Sequence, residues 1–180
     1  MRLKIVSFFK NYYIVCFSVV LLVFAFLYKP LFCSNKYFGL GDIGSFHYPA
    51  VYYLKERISV GEFPWWSEKF YGGFPIYAYS EMAFFSPIRI IGVLFFSSLT
   101  VLKIEYIIFL MLGVFGFARL AKIKNYLFLP TITAIILYFF GAPFVVRITH
   151  LHIVYTMFLI PLNVMLYEHQ KTSKNKFLVI

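Results

Sequence analysis

Acid and base chemistry in this sequence can come from few places. Of seven acidic residues, Asp42, Glu56, Glu62, Glu68 and Glu81 fall within residues 41–87, Glu105 lies just beyond, and Glu168 stands apart. Asp42 sits in Gly41-Asp42-Ile43-Gly44, a turn that leads to Ser45, and Ser45 is the expected N-cap of a helix over residues 46–59. A carboxylate just ahead of a helix N-terminus is held in its ionised form and can serve as a general base or a metal ligand. The plain alternative is an aspartate that only makes a turn. No second carboxylate lies within two residues of Asp42, so a local Asp-x-Asp metal site is absent, and Glu81 joins it only through folding.

The remaining candidates are cations, imidazoles and indoles. Arg147-Ile148-Thr149-His150-Leu151-His152 sets a guanidinium and two imidazoles on one turn, where Arg147 with His150 can bind a lipid phosphate or Arg147 can simply reach headgroups. His150 and His152, two residues apart, diverge on a helix and lack the further ligands of a zinc site. Trp65 and Trp66, between Pro64 and Ser67, read as anchors in an interfacial aromatic belt or as sugar-stacking platforms.

These residues must be positioned by apolar elements. The chain has 180 residues, 62% of them hydrophobic and 13% charged, more apolar surface than one small soluble core hides, so the composition predicts an all-α integral membrane protein. A net charge of +10 raises nucleic acid as a partner, but the basic residues cluster at the ends of apolar runs and form no basic face, which argues for membrane lipid and against nucleic acid. Cys16 lies in the first apolar run and Cys33 outside it, so neither a disulfide nor a zinc site is expected. That run is too long for a signal-peptide core and no small-residue cleavage site follows. A lipoprotein signal fails because bulky Phe32 precedes Cys33.

The charge gaps predict about four transmembrane helices, at 11–28, 99–121, 125–146 and 148–167. Residues 29–98 form a large first outer loop with juxtamembrane helices: one over 46–59, with Phe46, Ala50, Leu54 and Ile58 as its apolar stripe, and one over 88–96. Lys103 reaches outward from the second span. Nine of the 17 basic residues then fall in three short cytoplasmic segments and eight in the longer outer ones, so both ends lie inside. Residues 168–180 are a cytoplasmic flank followed by the start of a further apolar helix. The chain reads as a single, truncated membrane domain in a plasma or inner cell membrane.

The ordered set Asp42, Gly61-x-x-Pro64-x-Trp66, Tyr71-Gly72-Gly73-x-Pro75, Phe85-x-Pro87, Arg147-x-x-His150 and a basic flank with Glu168 resembles the bacterial YfhO-like membrane proteins and related glycosyltransferases of the GT-C fold. The likeness covers nearly the whole chain and implies the N-terminal module of such a protein. It implies transfer of a sugar from a polyprenyl-phosphate donor to a glycan, lipid or protein acceptor outside the cytoplasm. Asp42 matches the first-loop carboxylate that acts as base or metal ligand, so a divalent metal is possible and no other cofactor is implied. Arg147, His150, Glu81 and Trp66 are the expected substrate-binding residues. Glu81 stands where an amide is expected, and the paired acids of metal-dependent relatives are absent. The rival class is a non-catalytic lipid-binding, transport or structural subunit.

Overall fold

The computed structural model describes residues 12–29, 41–70 and 72–172, with the side chains of Val145 and Thr172 excepted. The basic residues before the first span, Cys33, Tyr71 and the apolar start at 177–180 lie outside the described residues. Among the described residues all regular structure is helical: α1 (Tyr12–Leu27), α2 (Tyr48–Ser59), α3 (Pro87–Phe95), α4 (Ser98–Ile123), α5 (Phe128–Phe140), α6 (Ala142–Arg147) and α7 (Leu151–Thr172). A π-turn at Ile43–His47 runs into α2, and two 3₁₀ turns, Ile76–Ala78 and Ser80–Met82, precede α3. One isolated bridge pairs Ser67 with Phe74.

Two helices are long and apolar enough to cross a membrane, Ser98–Ile123 and Leu151–Lys171. Tyr12–Leu27 and Phe128–Phe144 are shorter apolar helices. The single helix expected over 125–146 is broken at Gly141 into α5 and α6. Pro143, which cannot donate to the preceding turn, explains the break. Pro161 inside α7 frees the carbonyl of Met157 in the same way, and there the Tyr138 hydroxyl donates to it at 2.9 Å. The helix therefore continues through its proline.

The chain divides into two compact units. The first holds α1, α4 from Ile108, α5, α6 up to Val146 and α7 from Tyr155. Close approach there depends on two glycines of α4. A Cβ at Gly113 would lie 2.3 Å from the Phe158 carbonyl oxygen, and one at Gly116 would lie 2.5 Å from the Leu162 nitrogen. Backbones that near admit only hydrogen at these positions. Phe158 stacks on Phe144 with ring centroids 5.2 Å apart and meets Phe139 at 5.5 Å. At one end of this unit Lys122 lies over the rings of Tyr12 and Tyr13, and Lys124 donates to Glu168 at 2.6 Å. Three segments with basic flanks thus meet at one end.

The second unit holds the chain up to Ile107 after α1, together with Arg147–Val154. Gly41, at φ +81°, turns the chain into the π-turn, and its carbonyl accepts from the amides of Gly44 and Ser45 and from the Ser45 hydroxyl. Ser45 is therefore not the N-cap that its position suggested. It bonds backwards along a turn that has already begun. The interior face of this element is His47, Ala50, Val51 and Leu54, so Ala50 and Leu54 of the expected stripe are buried while Phe46 and Ile58 are half-buried. The four interior positions follow the i, i+3, i+4, i+7 spacing of a regular α-helix, so the buried face includes His47 and Val51 beside the expected Ala50 and Leu54.

Candidate functional site: two carboxylate–imidazole pairs

Within the second unit, three separate segments bring their polar side chains together. The π-turn supplies Asp42 and His47, the Ser80–Met82 turn supplies Glu81, and the turn entering α7 supplies His150 and His152. His150 Nε2 lies 3.3 Å from Asp42 Oδ2. His152 Nε2 lies 3.9 Å from Glu81 Oε1, too far for a direct hydrogen bond and close enough for charge attraction when the imidazole is protonated. The two imidazole rings are 6.4 Å apart. All four side chains are partly open to solvent, so this is an accessible rim.

Behind it lies His47, 1% exposed, its ring 6.0 Å from that of His152. Among the described residues neither nitrogen of its ring has a hydrogen-bond partner. Burial pushes its pKa down to about 3, and the positive charge of Arg89 and, when protonated, of His152 and His150 adds to the effect. His47 is thus a neutral imidazole at physiological pH.

The support for the rim is an ion pair. Arg89 Nε donates to Glu105 Oε2 at 2.7 Å, the Ser86 hydroxyl donates to Glu105 Oε1 at 2.9 Å, and Arg89 Nη1 donates to the Met82 carbonyl. Both charged side chains are 1% exposed. The pair ties α3 to the first turns of α4 and holds the C-terminal end of the turn that carries Glu81.

Of the expected site residues, Asp42, His150 and Glu81 therefore come into one neighbourhood. Arg147 and Trp66 make no ion pair or hydrogen bond with Asp42 or Glu81. Arg147 closes α6 with its side chain exposed, and the Trp66 ring stands against Gly73 while its carbonyl accepts from the Tyr53 hydroxyl at 2.8 Å. Among the described residues no three His, Cys, Asp or Glu side chains are grouped to hold a metal ion. Sequence reasoning missed His47, Arg89 and Glu105. His47 was detectable as the first member of an i, i+3, i+4, i+7 face with Ala50, Val51 and Leu54. The Arg89–Glu105 pairing has no local signal, because its partners are 16 residues apart on different helices.

No protein-family model matches the chain, and no curated protein and no solved structure is detectably similar to it.

Proposed function

We propose that the chain is a membrane-embedded, GT-C-like sugar-transfer module with four crossings and both ends cytoplasmic, acting on a polyprenyl-phosphate sugar at the extracytoplasmic surface. The observation that carries the reading is the 3.3 Å approach of Asp42 to His150, residues from remote parts of a chain otherwise poor in acids. Two apolar helices of membrane length and the meeting of three basic-flanked helix ends support the topology. In the reaction, Asp42 takes the proton of an acceptor hydroxyl. The oxygen so released attacks the anomeric carbon while the bond from that carbon to the phosphate oxygen breaks. The electron pair leaves with polyprenyl phosphate, and Arg147 and His150 counter the charge it carries away. Trp66 and Glu81 bind the sugar in this reading.

The test is transfer of labelled sugar from polyprenyl carrier in membranes that contain the protein or its Asp42→Asn variant. Loss of a general base lowers the rate about 100- to 10,000-fold. An unaltered rate in the variant removes Asp42 from the mechanism. Tolerance of single substitutions at Asp42, Glu81, His150 and Arg147 alike favours a non-catalytic subunit instead.

A further inference from the structure

Helix α3 is inside out for a protein surrounded by water. Its buried positions are Arg89 and Val93, while Ile91, Leu94 and Phe95 point away from the unit with 58%, 59% and 74% of their surface exposed. The inward face is fully committed. Arg89 is held by Glu105 and the Met82 carbonyl, and Gly92 packs so closely on Val101 that a Cβ would lie 3.1 Å from its side chain. Rotating the helix to hide its apolar side would strand a buried guanidinium, so the outward face is fixed by the inward one.

What covers that face follows from where the helix is. α3 ends at Phe95, and α4, one of the two helices of membrane length, begins at Ser98. An element packed on the first turns of a membrane-crossing helix lies at the level where that helix meets headgroups. The apolar side of α3 continues into exposed rings. Phe85, just before α3, stacks on Phe63 with centroids 5.5 Å apart, Phe63 meets Trp65 at 4.6 Å, and Trp65 meets Tyr77 at 5.4 Å. Phe85, Trp65 and Tyr77 are all exposed. Aromatic side chains with polar tips beside an aliphatic helix face match the bilayer interface in chemistry.

We infer that the outer face of α3, with Phe85 and Trp65 beside it, is a lipid-contacting surface that lies in the headgroup and upper acyl region of the bilayer. The inference rests on the membrane reading, and its test separates the two. The chain has two tryptophans, Trp65 and Trp66, so the variant Trp65→Phe/Trp66→Phe/Leu94→Trp carries one reporter on α3. The full chain is reconstituted into vesicles of phosphatidylcholine and phosphatidylglycerol with and without acyl chains brominated near the headgroup. Emission from the tryptophan introduced at position 94 should be blue-shifted and quenched several-fold more by brominated lipid than by aqueous acrylamide. The unsubstituted protein, reporting from positions 65 and 66, should also be quenched by the brominated lipid. Strong acrylamide quenching in protein that floats with the vesicles overturns the lipid face and leaves the membrane reading intact. Shielding from both quenchers in floating protein means that a second copy or another protein covers the face, and it also overturns the proposal. Failure of the unsubstituted protein to float overturns the membrane reading and the inference together.

Discussion

Replacing Glu105 with leucine tests the support beneath the candidate site. The substitution leaves the Arg89 guanidinium, 1% exposed, without its counter-charge, and the Ser86 hydroxyl without its acceptor. Removing one partner of a buried ion pair costs about 3–5 kcal/mol, because the other charge stays desolvated. The double variant Arg89→Met/Glu105→Leu strands only neutral groups, the Met82 carbonyl and the Ser86 hydroxyl. These cost about 1–3 kcal/mol each when buried. Against that, each new apolar side chain contributes about 1.5–3 kcal/mol of burial. The double variant should therefore fall within about 2 kcal/mol of the original protein, more stable than Glu105→Leu alone. Equilibrium unfolding in mixed micelles, followed by circular dichroism, measures both. The single-variant loss should persist at high salt, since buried charges are poorly screened. A loss below about 1 kcal/mol, the level of an exposed pair, would show that Arg89 and Glu105 are not locked together as described. With the single variant Arg89→Met added to complete the cycle, additivity of the two single effects in the double variant would refute the coupling itself.

Two further substitutions probe other parts of the chain. His47 stays neutral in the folded protein down to about pH 3, whereas an unfolded histidine takes up a proton below about pH 6.5. Between those values the unfolded state binds the extra proton, so stability falls as pH falls, by about 1.4 kcal/mol per pH unit from this group. Hydrogen exchange of the α2 amides reads this slope, and His47→Leu should flatten it; an unchanged slope would remove His47 as its source. Gly116→Val in α4 meets the Leu162 backbone at a separation no side chain tolerates. It should destabilise by about 1–3 kcal/mol or more in the same micelle assay, whereas a neutral result would contradict the close α4–α7 approach.

The long helices were legible from apolar runs, uncharged at 11–28 and 148–167 and interrupted by Lys103, Glu105 and Arg119 at 99–121, though only α4 and α7 reach membrane length. The run at 11–28 became Tyr12–Leu27, 99–121 became Ser98–Ile123, and 148–167 became Leu151–Thr172, which begins later and continues through the charged flank. A helix formed at Pro87–Phe95, where one was expected at 88–96. The break at Gly141 was signalled by Pro143, yet hydropathy alone favours continuity, so the expected span ran through it.

The candidate site was legible in part, for a physical reason. Charged residues are so rare in this chain that composition alone directs attention to Asp42, Glu81 and the Arg147–His152 turn. Which of them meet depends on packing between segments far apart in sequence, and no local spacing encodes it. His47 shows how the two levels interact. A stripe drawn every four residues from Phe46 includes Ala50 and Leu54 but passes beside His47, which shares the i, i+3, i+4, i+7 face of Ala50, Val51 and Leu54. The His47 ring lies 6.0 Å from that of His152, at the end of a π-turn capped by Asp42, whose carboxylate meets His150. One short element thus carries both the open carboxylate at the rim and the neutral imidazole behind it. A substitution that restored regular α-helix there would move both groups, even with every side chain of the site unchanged.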